Sequence, residues 1–281
     1  MMKKLFSILL LMIGIISLTA CSNSRDAGKT TKAASETMVP TLFFHGYGSS
    51  THAENQMAES AVRANASKTI IKAMVDPQGQ VTLIGTIPES EKNPIVEVGF
   101  ENNRDPDYHQ DGKWAKQVIV KLRDVYHIKK FNVVAHSMGN MAVMFYMLNN
   151  YQNKNLPKLQ KQVNIAGNFN GILEDHDVYD RIGLSHDGRP LKLDPSYRMM
   201  LPMRKTDAYK NVEVLNIYGD KLNGSHSDGD VSNSSSRSLK YLIGKQAKSY
   251  QEKKIVGPQA QHSKLHNNKQ VYKIFINSCF S

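Results

Sequence analysis

The segment Phe131-Asn132-Val133-Val134-Ala135-His136-Ser137-Met138-Gly139-Asn140 constrains the fold more than any other stretch, because an apolar run typical of a buried strand ends directly on a serine between small residues. A sharp turn from strand into helix holds the central residue in a strained backbone conformation. The residues two before and two after it must then be small, so that the strand and helix can approach. Ala135 and Gly139 meet that demand. The pattern is Gly-x-Ser-x-Gly with alanine at its first position, and it offers Ser137 as a candidate nucleophile.

The surrounding elements predict what such a turn sits in. Val39 to Phe44 reads as a strand buried on both faces that stops at His45-Gly46-Tyr47-Gly48, and a helix is expected from about Ala53 to Ala66. Residues 69–75 and 80–86 flank the turn-forming Asp76-Pro77-Gln78-Gly79 and predict a strand pair, and residues 94–100 predict another strand. Trp114, Val118, Leu122 and Val125 recur at helical spacing, which predicts an amphipathic helix over 113–126 leading into the Phe131 strand. Met141, Phe145 and Leu148 mark the core face of the helix after Ser137. Further strands are expected at 161–166, 212–218 and 250–256. Strands alternating with helices imply a mostly parallel sheet covered on both faces. The long connection over about 171–211, with Pro190, Pro195 and Pro202, is read as a cap insertion above the edge that carries Ser137.

The N-terminus carries an address. Lys3 and Lys4 precede an apolar run from Leu5 to Ile16, shorter than the ~20 residues needed to span a bilayer, and Leu18-Thr19-Ala20-Cys21 follows. Residues 1–20 are read as an export signal. Their ending resembles the lipobox of bacterial lipoproteins, which would make Cys21 the lipidated first residue of the mature chain. Residues 21–37 contain no aromatic residue and read as a flexible tether. Lipid on Cys21 would hold the body at the outer face of the cytoplasmic membrane, as in Gram-positive bacteria. Removing residues 1–20 takes away two lysines and no acids, so the formal charge falls from +11 to +9. Without aromatic residues interleaved in a basic stripe, that charge is read as a solvated surface and not as a nucleic-acid site. The other cysteine, Cys279, has no partner for an intramolecular disulfide once Cys21 is lipidated. Residues 38–281 suffice for one large α/β domain.

A serine hydroxyl needs a base to take its proton, and the base needs an acid to fix its tautomer. Both are available after Ser137. An acid-rich loop over 220–232 contains Asp220, Asp228 and Asp230, and His262 and His266 follow the strand at 250–256. A His-x-x-x-His pair can also hold zinc, but Ser263 stands where a zinc protease requires glutamate. His136, beside the nucleophile, is read as supporting the turn by packing or hydrogen bonding. No metal or cofactor motif is present in the sequence.

Together these stretches, with Asn93-Pro94 to Asn103, Ile165-Ala166-Gly167-Asn168-Phe169-Asn170-Gly171, Ser227 to Ser232 and His262-Ser263-Lys264-Leu265-His266-Asn267-Asn268, resemble the α/β-hydrolases of the DUF915 cell-surface type, related to carboxylesterases and lipases. The resemblance covers nearly everything from Val39 onward. It implies an α/β-hydrolase fold with Ser137 as nucleophile, Asp228 as acid and His262 as base. It implies an oxyanion hole from the backbone amides of Tyr47 and Met138. Departures are Ala135 for the usual glycine and Asn140 for a glycine after the turn. The implied activity is hydrolysis of small acyl esters through an acyl-enzyme. Acyl transfer or amide hydrolysis on envelope material, and a non-catalytic binding lipoprotein on the same scaffold, are the alternatives.

Overall fold

Apolar runs form the middle of the sheet. In the computed structural model, which describes residues 38–173 and 183–280, strand β1 (Thr41–Phe44) lies between β4 (Ile95–Phe100) and β5 (Lys130–His136), and nearly every residue of the three is buried. Strands β2 (Ile70–Val75) and β3 (Val81–Ile84) form the expected antiparallel pair, its turn held by Asp76, whose Oδ1 accepts from the Gln80 amide at 2.8 Å. On the other side follow β6 (Lys158–Ile165), β7 (Glu213–Asp220) and β8 (Ser249–Val256). The order is β3-β2-β4-β1-β5-β6-β7-β8, and every pairing except β2–β3 is parallel. The export signal, Cys21 and the tether lie outside the described residues, as do residues 174–182 of the expected cap. Among the described residues no helix is long and apolar enough to cross a membrane.

Helices cover both faces. On one, α2 (Tyr108–Tyr126) and α3 (Met138–Asn150) pack Trp114, Val118, Leu122, Met141 and Phe145 into the larger core. Helix α2 begins a turn earlier than its apolar spacing predicts, because the Asp107 side chain caps it by accepting from the His109 amide at 2.9 Å. Val125, expected on its buried face, is 47% exposed in the last turn, and Ile128 closes the core there instead. On the opposite face α1 (Thr51–Arg63) and the C-terminal helix (Lys269–Cys279) cover Phe43, Val134 and Val163.

The 171–211 connection differs from the cap expected of it. Helix α4 (Pro195–Met200) and a 3-10 turn (Leu201–Lys205) place Tyr197, Met200 and Met203 in the same core as α3, with Tyr209 following. This half is the crossover that two parallel strands require. Its helix is too short to show a hydrophobic period. Ile172 and Leu173, by contrast, do line the cavity at Ser137.

The parallel register brings the chemistry to one edge. Phe44 pairs with Ala135 and His136 with Ile165, so the loops after β1, β5 and β6 leave side by side. Those after β7 and β8 join them, at the carboxyl ends where open α/β sheets form ligand crevices.

Candidate active site

Ser137 has φ 51° and ψ −123°, the strained conformation expected at a strand-to-helix turn. Its amide donates to the Ile165 carbonyl at 3.0 Å, tying the turn to the neighbouring strand. Gly139 is required by space, since a Cβ there would lie 2.6 Å from the Phe44 carbonyl oxygen and 2.8 Å from that of His45. Ala135 is buried and accommodated within the sheet. Asn140, the other departure from the family pattern, has a use: its Nδ2 donates to the carbonyls of Ser137 at 2.9 Å and Ile165 at 3.1 Å.

The loops at this edge place an imidazole and a carboxylate in line with the serine. Ser137 Oγ lies 2.9 Å from His262 Nε2, and His262 Nδ1 lies 2.8 Å from Asp228 Oδ2. Asp228 is 1% exposed, and its Oδ1 accepts from the amides of Asp230 at 3.0 Å and Val231 at 2.8 Å. Those bonds aim the second oxygen at the ring. The His262 amide donates to the Asp228 carbonyl at 3.0 Å, joining the two loops by backbone as well. Burial by itself lowers the basicity of His262, but the hydrogen bond and charge of Asp228, with Asp230 behind it, outweigh burial and raise its pKa above the usual histidine value. Such a histidine can take a serine proton and hold the resulting charge.

Ser137 opens onto a cavity of about 500 Å³. Tyr47 and Met138, whose amides were expected at an oxyanion, both line it beside the serine. Residues 28–280 match the family model described as alpha/beta hydrolases of unknown function, DUF915. The chain belongs to that family. A Listeria innocua gene product of known structure is similar to this DUF915 hydrolase at 24% identity and TM-score 0.78, over 86% of this chain and 93% of the other. A candidate cell surface hydrolase of Lactobacillus plantarum matches at 19% identity and TM-score 0.65, over 85% and 89%. An arylesterase matches at 12% and 0.50, over 86% and 77%. At these identities the likeness concerns the fold. Comparison with curated proteins returns no match.

The other candidates in this DUF915 chain sit elsewhere in the network. Asp220 is buried at the end of β7 and engaged by Lys254 at 2.6 Å, Asn233 at 2.9 Å and the Leu222 amide at 2.9 Å, so it braces the acid loop. Asp230 lies at the cavity wall. His266 also faces the cavity, without contact to Ser137, and its ring lies 4.9 Å from that of His136. His136 does not bond the turn. Its Nε2 meets the His262 carbonyl at 3.2 Å. Residues not singled out from the sequence complete the cavity: Asp105, Tyr108 and Asn168, with Asn168 Nδ2 donating to the Tyr108 hydroxyl at 3.2 Å. For Asn168 the available signal was position, three residues past the end of β6 at the carboxyl edge.

Proposed function

We propose that this chain is a serine hydrolase that cleaves carboxylic esters through an acyl-enzyme on Ser137. The observation that carries this reading is the unbroken contact chain from Asp228 through His262 to Ser137, at 2.8 and 2.9 Å, on the wall of a cavity. Ser137 Oγ attacks the ester carbonyl as its proton passes to His262 Nε2, and Asp228 stabilises the imidazolium from the Nδ1 side. The amides of Tyr47 and Met138 receive the charge that develops on the carbonyl oxygen. His262 then gives the proton to the departing alcohol. Water, deprotonated by the same nitrogen, releases the acid and restores the serine.

The cleavage takes place outside the cytoplasmic membrane, with the body tethered through lipid on Cys21. The lipobox-like Leu18-Thr19-Ala20-Cys21 supports that location. Purified protein is expected to hydrolyse p-nitrophenyl butyrate and to be labelled by a fluorophosphonate. Ser137→Ala should lose the labelling and about 10⁴-fold or more of the rate. Wild-type protein that neither hydrolyses aryl esters nor takes the label would sink the reading. For the anchor, Cys21→Ser should abolish incorporation of labelled palmitate and release the protein from the membrane fraction.

A further inference from the structure

We propose that His136 is a positioning residue for the base, holding the backbone of His262 at a set distance from the nucleophile. The role rests on reading Ser137 and His262 as nucleophile and base. His136 is 5% exposed and ends β5, so its backbone is fixed by the sheet immediately before Ser137. Its Nε2 lies 3.2 Å from the carbonyl oxygen of His262. A carbonyl oxygen only accepts, so Nε2 carries the proton and donates it. The imidazole is held on several sides. Its ring centroid lies 4.8 Å from that of His262 and 4.9 Å from that of His266. Gly46 approaches it as well, since a Cβ there would stand 3.2 Å from Nδ1.

These contacts close a ring of bonds. From Ser137 Oγ the path runs 2.9 Å to His262 Nε2, through that residue to its carbonyl, 3.2 Å to His136 Nε2, and back through one peptide bond to Ser137. The acid closes a second ring on the other side of His262: its carboxylate takes Nδ1–H at 2.8 Å and its carbonyl takes the amide at 3.0 Å. His262 opens α5 (His262–Leu265), a helix of 4 residues, which cannot by itself fix a side chain to a fraction of an ångström. With both its amide and its carbonyl claimed, the base is registered on β5 and on the acid loop. Burial, reinforced by the nearby His262 and His266, keeps His136 a neutral donor while His262 cycles its charge.

Two measurements test this. In wild-type protein, ¹⁵N shifts of the histidine rings should report His136 as the neutral Nε2–H tautomer. An Nδ1–H tautomer would leave nothing to donate and would overturn the proposal. The second compares His136→Gln, whose amide nitrogen reaches the place of Nε2, with His136→Phe, which keeps the ring and loses the donor. The Phe variant is expected to lose about 10- to 100-fold in kcat, with KM within about twofold, and fluorophosphonate labelling should slow in proportion. The Gln variant should stay within about threefold of wild type. A Phe variant that labels at the wild-type rate, or equal losses in both variants, would refute the positioning role while leaving the assignment of Ser137 intact. Wild-type protein that does not label at all would remove that assignment, and this inference with it.

Discussion

Glu54 lies in α1 with no exposed surface, and neither of its carboxyl oxygens has a hydrogen-bond partner. Glu97, on β4, is equally buried and equally unpartnered. Burial first, and the charge of Glu97 second, push the Glu54 pKa from 4.5 to about 8. The fold therefore binds this proton more tightly than the unfolded chain does, so the contribution of Glu54 to stability is highest below pH 4.5 and falls as pH rises toward 8. At ~1.36 kcal/mol per pH unit over the interval to pH 7, keeping Glu54 protonated in the fold costs about 3 kcal/mol. Glu54→Gln keeps the shape and removes the titration. It should be nearly neutral at pH 4 and stabilising by about 3 kcal/mol at pH 7, a rise in Tm of roughly 6–12 °C for a domain of this size. Urea unfolding of both proteins at half-unit steps from pH 4 to 8 measures it. A stability difference that does not grow with pH, or a variant less stable than wild type at pH 7, would show that Glu54 finds a stabilising partner and would refute the reasoning.

Asp228→Asn should lower kcat by about 10⁴-fold, because the base loses its orienting and compensating charge. Asp220→Asn should keep kcat within about tenfold but lower unfolding stability by ~1–3 kcal/mol, through the loss of its ionic contact with Lys254. The acid limb of kcat/KM should fall as pH drops through the His262 pKa, with its midpoint above that of an ordinary histidine, because protonation removes the base; a midpoint below that of a free histidine would contradict the assignment. Gly139→Ala should lower stability by ~1–3 kcal/mol and depress kcat, since the added carbon meets the backbone oxygens of Phe44 and His45 at 2.6 and 2.8 Å. Asp105 and Asp230 face the cavity, and among the described residues no lysine or arginine lines it. Butyrylcholine should therefore be cleaved about tenfold more efficiently than its neutral isostere 3,3-dimethylbutyl butyrate, and equal kcat/KM values would exclude a role for these charges.

The legible parts of this molecule are those whose requirement is local or ordered along the chain. Residues 131–140 announce the turn because its constraint falls on positions within two residues of Ser137, and the strands β1, β4 and β5 are visible as apolar runs because both faces are covered. Asp228 and His262 were visible for a different reason. Chain order offers acids after β7 and histidines after β8 but leaves Asp220, Asp230 and His266 open beside them, and the resemblance to the family singles out Asp228 and His262.

What remained hidden is held by contacts between distant segments, each leaving at most one residue in any stretch. Asp105, Tyr108 and Asn168 line the cavity from a loop, the first residue of α2 and the loop after β6, segments that share no local pattern. Glu97 stands in a run of apolar residues, Pro94 to Phe100, where its position marks a strand but not that its carboxyl is buried with no hydrogen-bond partner. His136 is the sharpest case. Its neighbourhood in sequence points to the turn, whereas its hydrogen bond goes to a residue 126 positions away. A side chain serves whatever the fold brings within its reach, and here the fold brings the backbone of His262, the proposed base, to His136.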